Sequence, residues 1–250
     1  MTTLFISDLH LDESRPEVTA AFLKFLKERA SRADALYILG DLFEAWIGDD
    51  DDSALAESVA TALAAVSIPK FYMHGNRDFL LGAAYADQCG MTILDDPTVI
   101  DLYGVPTMLS HGDVFCTDDV EYQKFRAQVR DRAWQQGFLS QPLDARRAFA
   151  AQARAASASH QAGLANMEVI TDVTPSAVDA AMASRDAALL IHGHTHRPNR
   201  HVSQSFERIV LGDWYEQGSV LVAERDGTLV LEKFGFAQPD IVTETKATNT

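Results

Sequence analysis

The sequence predicts an α/β fold carrying an inserted helical cap, and three observations predict it. Short apolar runs recur along the chain, and each ends in a cluster of polar residues. Segments of helical period alternate with these runs. One long Ala- and Arg-rich stretch separates two of them. Buried strands alternating with amphipathic helices bring the carboxyl ends of the strands to a common crevice, where sites in such folds form.

The elements follow in order. Residues 3–7 (TLFIS) read as a buried strand that ends at Asp8. Between Arg15 and Arg32, the residues Val18, Phe22, Phe25 and Leu26 mark one helix face, with Pro16 suited to the first turn. Residues 35–39 (ALYIL) form a second strand before Gly40-Asp41, and residues 54–66 an Ala-rich helix. Residues 70–74 (KFYMH) are a third strand, running into Gly75-Asn76-Arg77-Asp78. Residues 107–110 lead into His111, and residues 188–191 into His192-Gly193-His194-Thr195-His196. Residues 207–234 read as a β-meander whose last hairpin turns at Asp226-Gly227. The predicted organisation is a core of residues 1–117 and 186–236, a helical cap of residues 118–185 over the site, and a polar, flexible tail of residues 237–250.

With 47% hydrophobic and 23% charged residues, the 250-residue chain has an ordinary globular composition. A formal net charge of -15 argues against nucleic acid as a partner. Cys89 and Cys116 form neither a disulfide framework nor a metal-binding spacing, and read as buried thiols. The N-terminal residues lack a basic signal-peptide region, and no apolar run reaches 18 residues, so a cytoplasmic protein is expected.

The polar strand ends collect Asp8, His10, Asp41, Asn76, His111, His194 and His196. Spacings of two place Asp8 with His10, and His194 with His196, on one side of an extended strand end. Mixed carboxylate, imidazole and amide ligands suit Mn2+, Fe2+ or Zn2+. Seven ligands exceed the needs of one ion and leave two unsaturated. With Asp41 bridging, Asp8, His10 and His196 serve one ion and Asn76, His111 and His194 the other. Ions about 3.5–4 Å apart leave room for water, an arrangement used in phosphoryl transfer.

This series, Asp-x-His, Gly-Asp, Gly-Asn-x-Asp, His and Gly-His-x-His, resembles the calcineurin-like metallophosphoesterases. The resemblance implies a two-sheet β-sandwich flanked by helices, with the site at one edge. One position departs from the broad family, since Arg77 stands where a His usually follows the Asn. A guanidinium stays protonated and cannot act as a general acid, but it can clamp phosphate. Such a site suits a leaving group that needs no proton, as in pyrophosphate cleavage. The plainer reading pairs Arg77 with Asp78.

The strings FISDLHL, ALYILGDLFEAWIGDD, HGNRDFLLG, CTDDVEYQKFR, IHGHTHRP and RIVLGDW are similar to the UDP-2,3-diacylglucosamine diphosphatases of lipid A synthesis. That resemblance spans about residues 1–235. It implies Mn2+-dependent hydrolysis of a lipid-linked UDP sugar to UMP and 2,3-diacylglucosamine 1-phosphate, with water attacking the uridine-side phosphorus. It also implies a peripheral place on the cytoplasmic face of a Gram-negative inner membrane. No obligate protein partner is expected. A phosphodiesterase acting on soluble nucleotides is the alternative, and a non-enzymatic binding module of the same fold a more distant one.

By resemblance, Asp119, Tyr122, Arg154 and Ser157 contact the substrate together with Asn76, Arg77 and His194. Beyond Ser157 the pattern departs. The family continues with an Asn, near which Gln161 or Gly163 falls, and a Lys, near which Leu164 or Asn166 falls. From Lys124 to Ala156 seven basic residues face only Asp131 and Asp144, a local charge of +5 among apolar side chains such as Phe125, Trp134, Phe138 and Phe149. This can admit acyl chains and lean on anionic headgroups, or be a helical hairpin with paired arginines. The remaining conspicuous residues read as structural. Asp49–Asp52 form a solvated loop, His74 and His192 support or pack beside the ligands, His160 and His201 lie on the surface, and Trp46 and Trp214 pack in the core or the site wall.

Overall fold

The computed structural model describes residues 1–163, 170–236 and 242–243, with the side chains of residues 1–156 and 170–236. Its strands are β1 (Thr2–Ile6), β2 (Ala35–Leu39), β3 (Lys70–Met73), β4 (Met91–Leu94), β5 (Thr98–Leu102), β6 (Val105–Ser110), β7 (Leu189–His192), β8 (Asn199–Val202), β9 (Glu207–Val210), β10 (Gly218–Glu224), β11 (Leu229–Phe234) and β12 (Val242–Thr243). Its helices are α1 (Pro16–Glu28), α2 (Ala54–Ala64), α3 (Ala83–Cys89), α4 (Val120–Val129), α5 (Arg132–Leu139), α6 (Leu143–Gly163) and α7 (Pro175–Arg185).

Two mixed sheets face each other. One has the order β12-β11-β10-β1-β2-β3-β4 and the other β5-β6-β7-β9-β8. Period-two alternation builds three apolar layers. Leu4, Ile6, Leu36 and Ile38 meet Phe22, Phe25, Val59 and Leu63 of α1 and α2. Phe5, Leu39 and Leu221 turn the other way, onto Leu109, Ile191 and Ile209 of the second sheet. On the far side of that sheet, Met108 and Leu190 pack against Val178 and Met182 of α7. The expected sandwich flanked by helices is therefore the fold. Pro16 opens α1, and the Ser53 hydroxyl accepts from the Ala56 N–H to cap α2.

Several sequence expectations change. β9 does not join a meander with β10 and β11. It pairs parallel with β7 in the second sheet, and residues 211–217 cross between the sheets. Local alternation cannot reveal such a change of partner, because each strand keeps the same period. The inserted stretch also divides in two. α4, α5 and α6 reach the site, whereas α7 packs one face, through Val178 and Met182, on the far side of the second sheet. Within the tail expected to be flexible, Val242 and Thr243 pair antiparallel with Lys233 and Glu232. The elements α3, β4, β5 and β8 had no strong sequence signal. Among the described residues no helix is long and apolar enough to cross a membrane.

Candidate active site

The parallel strands β1, β2 and β3 of one sheet and β6 and β7 of the other end at the same edge. The loops that follow stay paired. The Asp8 N–H donates to Gly40 O at 3.1 Å, His10 N–H to Asp41 O at 2.9 Å, and Leu11 N–H to Leu42 O at 2.9 Å. Asp78 braces this layer with its carboxylate, accepting from Leu42 N–H at 2.7 Å and Gly75 N–H at 2.9 Å. Asp78 is thereby occupied by backbone, and the pairing of Arg77 with Asp78 gives way to a different contact described below.

The two-residue spacing works by another route than strand pleating. Asp8, His10, Asp41, His194 and His196 all lie beyond their strands in the left-handed region, with φ of 55°, 50°, 52°, 68° and 54°. Between Asp8 and His10, Leu9 is fully buried in the core. Each left-handed residue costs about 1–3 kcal/mol and persists only where its surroundings hold it, a pattern that concentrates at functional sites. Close approach adds a demand for glycine. A Cβ on Gly75 would collide with the Asp41 carboxylate, and one on Gly193 with Asp8 and Ser7.

All seven predicted ligands come together. His196 Nε2 lies 3.3 Å from Asp8 Oδ1 and 3.2 Å from His10 Nε2. Asp41 Oδ2 stands 3.7 Å from His10 Nε2 and 3.7 Å from His111 Nε2, midway between two lobes. In the second lobe Asn76 Oδ1 is 3.0 Å from His111 Nε2 and 2.9 Å from His194 Nδ1. The far nitrogens set the imidazole tautomers. His111 Nδ1 donates to Leu39 O at 2.9 Å, and His10 Nδ1 to Glu44 at 2.8 Å, so both rings turn Nε2 toward the cluster.

The electrostatics show what the cluster accommodates. Burial opposes charge on His111, yet Asp41, Asp8 and Asp113 draw its pKa up to about 9. Burial would also raise Asp8, but His196, His111 and His10 hold its carboxyl well below the usual range. Burial pushes Asp41 up and His194 down, the latter to about 3. The carboxylates thus pull positive charge into a buried pocket, the demand that a divalent cation meets. Asp8 Oδ1 is buried with no hydrogen-bond partner. An orphaned carboxylate oxygen beside imidazole lone pairs fits a metal centre, and the donor set suits divalent ions.

A cavity of about 750 Å³ opens over this cluster. Its floor carries His10, Asp41, Asn76, His194 and His196, while Trp46, Phe79, Phe125, Phe138 and Phe149 line an apolar wall. Arg77, Asp119, Tyr122 and Arg154 all reach it. All four also have partners within the protein, the two arginines on Glu44. Asp119 accepts from the Tyr122 N–H at 3.0 Å as the cap of α4. The Tyr122 hydroxyl donates to Asp113 at 2.6 Å, and its ring lies along His194 with centroids 5.9 Å apart. Tyr122 is therefore placed to brace His194. The side chains of Ser157, His160 and Gln161, and residues Leu164 and Asn166, lie outside what is described, and Gly163 is described by its backbone alone.

The basic helices are matched mainly within the protein. Arg146, 2% exposed, donates to Ile47 O and Asp50, each at 2.7 Å. Arg147 pairs with Asp51, Arg126 with Asp113, and Arg130 donates to Gly75 O. The run Asp49–Asp52 is accordingly no simple solvated loop. Asp50 and Asp51 dock α6, and Asp49 accepts from the N–H groups of Gly82 and Tyr85 at the start of α3. His74 and His192 bond backbone carbonyls, at Leu81 O and Gly193 O.

Four residues around the site had no distinctive sequence signal. Glu44 supports His10, Asp113 holds both Tyr122 and Arg126, Asp213 lies 3.8 Å from His196 Nδ1, and Tyr215 stacks on His10 with planes 14° apart. The one available hint was the HGD string, which sets Asp113 two residues from His111.

Known proteins resemble the chain along its length. A family model described as calcineurin-like phosphoesterase matches residues 1–198. The UDP-2,3-diacylglucosamine hydrolase of Xanthomonas campestris pv. campestris (strain B100) is 60% identical, over 94% of this chain and 100% of that protein. The protein of the same name from Stenotrophomonas maltophilia (strain K279a) is 59% identical, over 91% and 96%. Among solved structures, Vps29 complexed with zinc from Entamoeba histolytica shares the fold, with a TM-score of 0.51 at 15% identity over 98% of this chain and 97% of that one. The chain belongs to the calcineurin-like phosphoesterase family, in the group of its curated UDP-2,3-diacylglucosamine hydrolase relatives.

Proposed function

We propose that this hydrolase cleaves the pyrophosphate of UDP-2,3-diacylglucosamine, giving UMP and 2,3-diacylglucosamine 1-phosphate, a step of lipid A synthesis. The observation that carries the reading is the single cavity joining the seven-residue ligand cluster to an apolar helical wall. Its curated relatives, about 60% identical, carry the name of that activity. A substrate with a diphosphate at one end and acyl chains at the other matches both halves of the cavity.

Asp8, His10, Asp41 and His196 would hold one divalent ion, and Asp41, Asn76, His111 and His194 a second, with Mn2+ as the proposed metal. When bound, two such ions supply an activated water and neutralise phosphate charge. The residues do the positioning. Arg77 reaches the cavity beside the cluster, where its guanidinium can clamp a phosphate oxygen. Water adds to the uridine-side phosphorus and the bond to the bridging oxygen breaks. The departing 2,3-diacylglucosamine 1-phosphate leaves as a stable anion, so the absence of an imidazole acid at Arg77 is no handicap. Phe125, Phe138 and Phe149 face the acyl chains.

Val120, Phe125, Leu139 and Phe149 are exposed apolar residues on the three helices that cover the site. They support peripheral contact with the cytoplasmic face of an inner membrane, where a lipid substrate enters. UMP release from UDP-2,3-diacylglucosamine in detergent, with and without Mn2+, tests the proposal. Metal-dependent release is expected. Faster hydrolysis of soluble nucleotides than of the lipid-linked sugar would overturn the substrate assignment, and metal-free turnover would overturn the ligand roles.

A further inference from the structure

Glu44 lies on the loop between β2 and α2, and its side chain is 17% exposed on the cavity wall. Three side chains converge on it. Oε2 accepts from His10 Nδ1 at 2.8 Å. Oε1 is 3.4 Å from Arg154 Nε and 4.0 Å from Arg77 Nη1. One partner thus belongs to the ligand cluster, one to the loop after β3, and one to α6.

The two oxygens act differently. Accepting the Nδ1 proton fixes the tautomer of His10, which turns the Nε2 lone pair toward Asp8, Asp41 and His196. The second oxygen sits between two guanidiniums. Without it, two like charges at the mouth of the cavity would repel, and neither side chain would be held at the wall. A surface ion pair would need no such convergence, and all three partners of Glu44 line the cavity.

We propose that Glu44 is a positioning residue that orients His10 for metal binding and sets Arg77 and Arg154 where the substrate's diphosphate lies. This rests on the reading of the cavity as a diphosphate-hydrolysing site. It makes one carboxylate the joint between the metal centre and the helical cover.

The test is a Mn2+ binding isotherm, taken without substrate, on wild type, Glu44→Ala and Glu44→Gln. Losing a supporting partner of a metal-bound His weakens metal binding by about 10–100-fold. That loss is expected for Glu44→Ala. A smaller loss is expected for Glu44→Gln, whose amide oxygen still accepts from Nδ1. The melting temperature of the metal-free protein should stay near wild type, and saturating Mn2+ should restore full metal occupancy. Wild-type Mn2+ affinity in both variants, or in Glu44→Gln if the Ala variant does not fold, would overturn the His10 role.

The arginine role is read from KM on the lipid-linked UDP sugar. Arg154→Ala should raise KM less in a Glu44→Ala background than in wild type, because the two act through one contact. Strictly additive effects would overturn it. The isotherm needs no substrate, so failure of the proposed reaction and failure of the Glu44 assignment give different results.

Discussion

At the strand ends, Asp8, Asp41 and His111 are at most 1% exposed, Asp8 and Asp41 in left-handed turns and His111 bonded to the Leu39 carbonyl. On the covering helices, Phe125, Leu139 and Phe149 stand 36–38% exposed, and α6 is tied to the core through Arg146 and Arg147. The first region is rigid because neighbouring loops over-determine each side chain. The second adjoins the core through a few charged contacts and an aromatic cluster in which Trp134 and Phe138 stack 5.0 Å apart. A metal centre needs fixed donors, whereas a surface that admits long apolar chains tolerates a looser attachment. Substitutions in the two regions should therefore differ in kind. Those at the strand ends should remove turnover with little change in substrate affinity, and those on the helices the reverse.

The largest effect is expected for Asp41→Ala. Its Oδ2 is equidistant from His10 and His111, and its Oδ1 accepts from the Arg77 N–H at 2.8 Å. Removing it opens both lobes at once. UMP release should fall to background and metal content by elemental analysis should drop. Retention of both metal and activity would break the comparison at its strongest point.

Arg77→Ala should come next. Removing a donor to developing phosphate charge typically costs about 10²–10³ in kcat. Arg77 supplies only its backbone to the ligand layer, so metal content should remain normal. A kcat loss with unchanged metal fits the clamp, and full activity would refute it.

The same contrast accounts for what could be seen in the chain. The seven donors were legible because each follows an apolar strand, and strand ends in such folds converge. The reason their spacing works was not legible. A spacing of two is ordinary on a pleated strand, and nothing in Asp-x-His announces two left-handed residues around a buried Leu9. Glu44 and Asp113 were silent because a lone carboxylate after a strand usually caps a turn, and their partners come from distant elements. Arg146 lies 96 residues from Asp50, so the Asp49–Asp52 run looked like a solvated loop until α6 was folded onto it. Period alone likewise could not separate α7, which packs under the second sheet, from the helices that cover the site.

A middle-sized effect belongs to Phe138, 5% exposed where the cover meets the core, stacked on Trp134 and edge-on to Phe149. Phe138→Ala should destabilise the fold by about 3 kcal/mol, read from a denaturant melt. KM for the diacylated substrate should rise while kcat on bound substrate holds. A kcat loss as large as that of Arg77→Ala would show that the cover shapes the reaction centre itself and would erase the distinction drawn here.

The finest test uses two neighbours in sequence. Arg146 is 2% exposed and satisfies Ile47 O, Gln141 O and Asp50, whereas Arg147 is 49% exposed and shares Asp51, Asp52 and Asp144 with solvent. Arg146→Ala leaves a buried carbonyl unpaired, a loss of about 1–3 kcal/mol that salt should not alter. Arg147→Ala removes contacts that water and salt already weaken, and its melt should lie within error of wild type. About 1 M salt shortens the screening length to roughly 3 Å, so any residual effect of Arg147 should vanish there while that of Arg146 persists. If the exposed arginine proved the costlier to lose, α6 would be held by its surface charges, and the docking contact would have to be moved from the buried Ile47 carbonyl to the Asp51 carboxylate.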